Sequence, residues 1–404
     1  DVFLESQGGQ LDKKSKEYRK AALGILRAWV RSMEAKRARN KGEIVDTPPK
    51  PVGIGASDSA SSLRLFGAFE RWRKEHRGPE KSAVEFESVI RRFISLHGDL
   101  MVAEITKAHV REFKDALLDY PARLSNTMRK LSVRDVLALH KDKPDIPRLK
   151  PVTINEKYLT ALSVVLKKAV TEGFIEFNPA ADIKATEDRN AEPTRIPYTD
   201  EDIAKIISWS IFSEGERPEA GKGVASVWMP LISMYSGARL EEIARLTRES
   251  FGTEDGVLFF RIQGRPKNPG SRRKVPVHSK LVALGFMDYV ESIASGYIFP
   301  NLEEVNGKRS HSWSKWYGRY SRARGITDKR KVFHSFRHTV KRKLRNLPAL
   351  DPTLFDAVMG HVTQTASARY GLDQEGQGFA LRNLQIPIEA LRYPEVEQAT
   401  LILV

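Results

Sequence analysis

The chain has 404 residues, of which 41% are hydrophobic and 29% are charged, and it contains no cysteine. This composition is typical of a globular protein, and the length predicts two or three domains. The absence of cysteine excludes disulfides, thiolate zinc sites, iron–sulfur ligation and a cysteine nucleophile. No segment reaches the ~18 uninterrupted apolar residues of a membrane span, and no charged-then-apolar leader opens the chain, so we expect neither membrane insertion nor secretion.

Charge is the most informative property of the composition. Lysine and arginine number 67 against 51 aspartates and glutamates, which gives a formal net charge of +16. Nucleic acid is the partner that this excess indicates, because its phosphates bind lysine and arginine with release of counterions. The basic residues are spread along the whole chain, which argues against a membrane-surface helix. On charge alone, a basic enzyme without a polyanionic partner remains an alternative.

The first predicted element is a basic helix near residues 14–38. Its apolar residues recur at helical spacing and form one stripe: Leu26, Trp29, Val30 and Met33. Prolines, glycines and serines then dominate residues 42–62, which is the composition of a linker. We therefore predict a basic helical N-terminal segment at 1–41, followed by a linker at 42–62.

Amphipathic helices without a strand signal predict a helical domain at 63–185. Four helices have apolar residues on one face, and Gly173 follows the last of them, where a left-handed C-cap belongs. A polar and basic stretch at 122–150 has the character of an insertion, with a short helix near Val133–His140.

A second linker is predicted at 186–198, followed by a domain at 199–404. Thr199 has the character of an N-cap, with three acidic residues after it, and another helix is predicted at Val224–Ser236. A β-hairpin follows, with strands at Gly256–Gln263 and Arg273–Val277, before helices resume. The predicted fold class is mainly α with a small antiparallel β-sheet in the C-terminal domain.

Cleavage of a DNA phosphodiester without a metal would need a side-chain nucleophile, guanidinium groups for the developing negative charge, and an acid for the leaving oxygen. The C-terminal domain offers such a set. Arg239 follows a Ser-Gly-Ala turn, Lys267 lies in the hairpin turn, and His334 and Arg337 are three positions apart in a helical segment. His361 follows Gly360 at the end of a further helix, and Tyr370 comes nine positions later.

This series resembles the tyrosine recombinase (phage integrase) family. The matching motifs are SGARLEEI at 236–243, RPKNPGSRRKVPV at 265–277, HSFRHT at 334–339, and MGH followed by Tyr370 at 359–370. The helical module at 63–185 also resembles the family's core-binding domain. The N-terminal segment matches less clearly, and the insertion at 122–150 has no counterpart that we can place.

The resemblance implies a catalytic role for six residues. Tyr370 would attack the scissile phosphate and hold the 3′-end as a phosphotyrosine, while Arg239 and Arg337 would clamp that phosphate. Lys267 would protonate the leaving 5′-oxygen. The remaining roles fall to histidines.

His334 would assist proton transfer at the tyrosine, and His361 would hydrogen-bond a non-bridging oxygen. Glu242 would orient and balance the cations rather than react. The resemblance implies no metal, cofactor or ATP, because a phosphotyrosine conserves the energy of the phosphodiester.

The function implied is that of a site-specific recombinase or integrase of a mobile element or prophage, acting with the nucleoid in a bacterial cytoplasm. Its partners would be double-stranded DNA with specific target sites and three further copies of the chain, which form a homotetramer on DNA. The two domains would clamp the duplex. Accessory DNA-bending or directionality factors are further candidate partners.

Several alternatives stay open at this point. The chain is alternatively a type IB topoisomerase-like enzyme, a DNA-binding protein of the same fold that does not cut, or a metal-dependent nuclease with His334, His338 and His361 as ligands. The basic hairpin residues, Arg265, Arg272, Arg273 and Lys274, are alternatively contacts to backbone phosphate only. The apolar tail at 401–404 is either a segment exchanged between protomers or a buried end.

Overall fold

The computed structural model describes residues 16–42, 63–188, 190, 192–263, 272–360 and 378–403. The predicted linker at 42–62 lies outside these residues except for Gly42. The chain divides into two compact units after Lys184, apart from His76–Glu85, which group with the second unit. None of the helices in the described ranges combines the length and hydrophobicity that crossing a membrane would require.

The N-terminal basic helix is present as α1 (Lys16–Asn40). Its predicted apolar stripe is exposed rather than buried, with Leu26 at 58% and Trp29 at 63% exposure. The stripe therefore contributes nothing to the core of the described residues.

The helices between residues 63 and 184 form the predicted helical module, with a core of apolar side chains. Phe93 and Phe113 are fully buried, and their rings pack edge to face with centroids 5.2 Å apart. A π-helical segment, Ile154–Leu159, runs directly into the last helix. The helices are α2 (Leu65–Glu75), α3 (Glu80–His97), α4 (Lys107–Leu118), α5 (Val133–His140), α6 (Pro151–Thr153) and α7 (Thr160–Thr171).

The insertion at 122–150 is folded onto this module. Helix α5 occupies the predicted range and buries Val133 and Val136. Arg148 donates hydrogen bonds to the carbonyls of Asp119 and His140, both at 2.8 Å. One guanidinium thus holds the two ends of the insertion together.

The second unit surrounds a three-stranded antiparallel sheet of order β1-β2-β3. Phe260 on the central strand lies opposite Phe251 on one side and Val275 on the other. The strands are β1 (Phe251–Glu254), β2 (Val257–Ile262) and β3 (Arg273–Pro276). The predicted hairpin corresponds to β2 and β3. The third strand, β1, was not predicted, because Phe251-Gly252-Thr253-Glu254 carries only one large apolar side chain.

Eleven helices in the described part of this unit pack around the sheet. They are α8 (Asp200–Ile207), α9 (Ser210–Ser213), α10 (Ala225–Ser236), α11 (Leu240–Ala244), α12 (Ser279–Ala283), α13 (Phe286–Ser292), α14 (His311–Ala323), α15 (Ser335–Arg345), α16 (Pro352–Met359), α17 (Leu381–Glu389) and α18 (Pro394–Gln398). The predicted mainly α fold class with a small antiparallel sheet is therefore confirmed.

Two features of the second unit bear on the sequence analysis. Thr199 caps α8 as predicted: its hydroxyl accepts from the amide of Asp202, whose carboxylate accepts from the Thr199 amide.

The C-terminal tail packs against its own unit. The amide of Ile402 donates to the carbonyl of Phe212 at 2.8 Å, and Arg217 donates to the Ile402 carbonyl at 2.9 Å. Residues 401–403 are thus held to their own unit by these bonds, and exchange of the tail between protomers stays an alternative.

Candidate active site

A glycine turn after the central helix places the first predicted arginine. Every residue of α10 is buried, and the helix ends at Gly237, whose φ of +65° lies in the left-handed region. A Cβ at Gly237 would also lie only 3.2 Å from Cγ1 of Val340. The backbone therefore favours glycine, and a Cβ at this position would also crowd the side chain of Val340. Two residues later, Arg239 stands at the N-cap of α11.

Glu242 is the centre of a hydrogen-bond network between two arginines. Its Oε1 accepts from Nη1 of Arg239 at 2.8 Å, and its Oε2 accepts from the Arg239 amide at 2.8 Å. Arg273 Nη2 donates to Oε2, also at 2.8 Å. The side chain of Arg239 is 40% exposed, whereas that of Arg273 is 3% exposed. The Arg239 amide at the start of α11 is thus already bonded within the protein.

The charges around Glu242 stabilise its ionised form. Burial alone would raise the pKa of this carboxyl. The charge and hydrogen bonds of Arg273, together with the Arg239 amide and guanidinium, outweigh burial and lower the pKa from 4.5 to about 2. Glu242 is therefore a carboxylate at any pH at which DNA is stable, and it neutralises part of the positive charge around it.

This pKa has a consequence for stability that Glu242→Gln tests. A pKa lowered on folding stabilises the protein above the unfolded pKa, and that stabilisation is lost as the pH falls from about 4.5 to about 2. We expect the wild-type free energy of unfolding to lose about 3 kcal/mol from this carboxyl over that window, and the Gln variant to lack this loss.

The measurement is urea unfolding of both proteins between pH 6 and pH 2. Glu303→Gln is the control, since that side chain is 77% exposed and should leave the pH slope unchanged. An equal pH slope in the wild type and Glu242→Gln would contradict the proposed network.

The second predicted arginine, Arg337, is buried on α15 and 4% exposed. Its Nη1 donates to the carbonyl of Gly237 at 2.8 Å, and its Nη2 donates to the carbonyl of Met359 at 2.5 Å. Burial lowers its pKa first, and the charges of Arg239 and Arg273 lower it further, to about 9. Arg337 is thus protonated at neutral pH, and it joins the glycine turn to the end of α16.

The predicted histidine, His334, is the N-cap residue of α15 and is exposed. Partial desolvation of the ring is the largest cause that lowers its pKa. The charges of His338, Arg337 and Arg239 lower the pKa further, to about 4. The imidazole is therefore neutral at pH 7 in the DNA-free protein. Arg337 is buried, whereas His334 is open to solvent just before the helix.

Gly360 ends α16 in the left-handed region, with a φ of +66°. A Cβ there would lie 2.8 Å from Nη1 of Arg273, so the end of this helix is built around that guanidinium. Gly360 directly precedes the predicted His361. The predicted residues Lys267, His361 and Tyr370 lie outside the described residues. Among those described, no group of three or more His, Asp or Glu could hold a metal ion.

Arg273 is the site residue whose position the sequence analysis missed. It was grouped with hairpin cations that contact backbone phosphate, but it is buried against Glu242. The alternation of side chains along a β-strand could have predicted this burial. In β3 and the residue after it, Arg273 shares a face with Val275 and Val277, both of which are in the core. An arginine in register with buried valines is expected to point inward.

The described residues thus bring Arg239, Arg337 and His334 together around one carboxylate, which the buried Arg273 also holds, and guanidinium groups such as the first two suit an anion such as a phosphodiester. The fold that carries this site is an integrase fold. A lambda integrase tetramer bound to a Holliday junction aligns with a TM-score of 0.51 at 18% identity, over 83% of this chain and 87% of that chain. The Tn1549 transposon integrase in complex with transposon right end DNA aligns with a TM-score of 0.53 at 16% identity, over 81% of this chain and 99% of that chain.

These alignments confirm, at the level of the fold, the resemblance to the tyrosine recombinase (phage integrase) family that the motifs indicated. No family model matches the sequence, and no curated protein does so either.

Proposed function

We propose that this chain is a site-specific DNA recombinase or integrase that cleaves and rejoins DNA through a 3′-phosphotyrosine, for the integration or excision of a mobile element or prophage. One observation carries the proposal. On an integrase fold, Arg337 donates to the carbonyl of Gly237, two residues before Arg239 and about 100 positions away in the sequence, and His334 stands at the N-cap of the helix that carries Arg337.

The two arginines would bind the scissile phosphate with the donors that the protein leaves to them. The bonds from Arg337 to Gly237 and Met359 use two of its five N–H groups. Arg239 holds Glu242 through Nη1, and its partly exposed side chain can direct other donors outward. In the pentacoordinate transition state, negative charge gathers on the non-bridging oxygens, so donors already in place lower the barrier.

Proton transfer would involve His334, Lys267, His361 and the nucleophile Tyr370. A tyrosine with an ordinary pKa of about 10 is almost wholly protonated at neutral pH, so it needs a base or strongly positive surroundings. His334 would assist proton transfer at the tyrosine once the negative charge of a bound phosphate raises its pKa, which burial and neighbouring cations lower in the DNA-free protein. Lys267 would protonate the leaving 5′-oxygen, and His361 would hydrogen-bond a non-bridging oxygen.

Each predicted domain of the chain would have its own role in the reaction. We assign DNA binding to the helical module at 63–185 and catalysis to 199–404, with 1–41 as an N-terminal segment on the linker at 42–62. The partner is double-stranded DNA with specific target sites. A homotetramer is the proposed active form, by analogy with the lambda integrase tetramer on a Holliday junction. Accessory bending or directionality factors are further proposed partners, and the proposed site of action is the bacterial nucleoid.

Trapping of the covalent intermediate tests the function. The protein is incubated with a nicked duplex that carries its target site, taken from the junctions of the element that encodes it, and is then run on a denaturing gel. We expect a slowly migrating protein–DNA adduct that forms in EDTA and without ATP, because the tyrosine, not a metal-bound water, attacks the phosphate.

Each other outcome identifies a rival function. Tight binding without an adduct would indicate a DNA-binding protein that does not cut. Cleavage that EDTA abolishes would indicate a metal-dependent nuclease. An adduct with relaxation of supercoils, but no exchange between two matched sites, would indicate a type IB topoisomerase-like enzyme.

A further inference from the structure

We propose that Arg273 is a positioning residue of this site: without touching DNA, it holds Arg239 and the end of α16 in register with each other. The inference rests on the proposed recombinase function. It differs from the catalytic roles above because Arg273 acts only through other protein groups. All three nitrogens of its guanidinium donate to Glu242 or to the carbonyl of Val358, so its donors serve the protein rather than a phosphate.

All three nitrogens of the Arg273 guanidinium are bonded to two other elements. From β3, Nη2 and Nη1 donate to Oε2 and Oε1 of Glu242 on α11, at 2.8 and 3.3 Å. Nε donates to the carbonyl of Val358 on α16, at 2.6 Å. A planar fork with fixed donors sets the angle as well as the distance between the groups that it joins, which a lysine cannot do.

The first arm of this bridge acts on Arg239. Glu242 holds both the amide and the guanidinium of Arg239, so the orientation of Arg239 depends on where Glu242 is held. Arg273 is the more deeply buried of the two cations on this carboxylate. If Arg273 is removed, Glu242 loses its buried cation and keeps the partly exposed Arg239. The ion pair of Glu242 and Arg239 is then free to turn toward solvent.

The second arm acts on the end of α16. The last carbonyls of a helix lack partners within the helix and carry the negative end of its dipole. Here Arg273 binds the carbonyl of Val358, and Arg337 binds that of Met359. Gly360 leaves the space that the Arg273 guanidinium fills. The end of α16 is thus held by two buried cations, one of which also holds Glu242.

Arg273→Met tests the role, because it keeps the approximate length of the side chain and removes the fork. We expect the rate of adduct formation to fall about 10²-fold, as misplacement by about 1 Å can cause. Duplex affinity should stay within about threefold of that of the wild type. The adduct rate of Arg273→Lys should lie between those of the wild type and Arg273→Met. Arg217→Met is the matched control, since that arginine also joins two segments, through the carbonyls of Ile211 and Ile402, but takes no part in the network around Glu242. An unchanged adduct rate in Arg273→Met would overturn the proposal.

The pKa of Glu242 separates positioning from a general loss of stability. The charges that face Glu242 come from Arg239 on its own element, Arg273 on β3 and Arg337 on α15, and Asp356 on α16 also acts on Arg337. Without Arg273, burial is opposed by fewer positive charges, so the pKa of Glu242 rises, which NMR titration of this carboxyl in the folded, DNA-free variant measures. A lower adduct rate with an unmoved Glu242 pKa would count against the proposal.

Two further experiments keep the proposal testable if Arg273→Met does not fold or if the proposed function fails. The first is Gly360→Ala, which displaces the Arg273 guanidinium without removing its charge. Gly173→Ala is its control, because Gly173 has a similar positive φ but no atom lies within 4 Å of the added Cβ. A larger loss of adduct rate in Gly360→Ala supports the proposal, and equal losses overturn it. If the wild type forms no adduct, the function is wrong. The bridge is then tested by NMR titration of the Glu242 carboxyl, whose pKa must rise in Arg273→Met or Arg273→Lys.

Discussion

Tyr370→Phe is expected to abolish the covalent protein–DNA adduct and to leave duplex binding intact. Phenylalanine keeps the ring but lacks the only oxygen that could form the phosphotyrosine ester, and loss of a nucleophile typically costs more than about 10⁴-fold in rate. The measurement is the denaturing-gel assay on a nicked duplex, with duplex affinity measured in parallel by fluorescence anisotropy.

Tyr297→Phe provides the matched control for this substitution. Tyr297 is a 36% exposed tyrosine of the second unit, and its ring packs under the guanidinium of Arg309. The same loss of a phenol oxygen there should leave the adduct unchanged. An adduct that persists in Tyr370→Phe would mean that another residue is the nucleophile, and peptide mapping of the DNA-linked fragment would identify it.

Arg337→Ala is expected to have two separable effects. The adduct rate should fall by at least about 10²–10³-fold, because a donor placed in advance for the transition-state charge is lost. Stability should also fall, because the carbonyls of Gly237 and Met359 each lose a buried partner, at about 1–3 kcal/mol per carbonyl. The measurements are the single-turnover adduct rate below the melting temperature of the variant, and urea unfolding.

Arg345→Ala on the same helix is the control, since that arginine is exposed and its removal takes away one positive charge without disturbing the site. We expect its adduct rate and stability to match the wild type. If Arg337→Ala loses duplex affinity as steeply as adduct rate, Arg337 serves only to anchor the DNA. If its stability is unchanged, the two carbonyl contacts contribute nothing to the fold.

Local signals predicted the elements well because they depend on residues close in sequence. Thr199 and its acidic neighbours define an N-cap within four residues, and the prediction matches the cap of α8. The short helix inside the insertion was also predicted at its observed bounds, Val133–His140. Strand β1 was missed, because a four-residue strand with one large apolar side chain is defined by its pairing with β2 rather than by its own sequence.

The sequence by itself determined the fold class, the order of the elements and the set of residues that resembles a recombinase site, because spacing, caps and motifs are local properties of the chain. Only the tertiary structure decided which groups share a charge environment. It placed Arg273 against Glu242, gave the Arg239 amide to that carboxylate and put His334 where burial and neighbouring cations lower its pKa. Burial and the field of distant charges arise from packing between segments far apart in the chain, and no single segment specifies them.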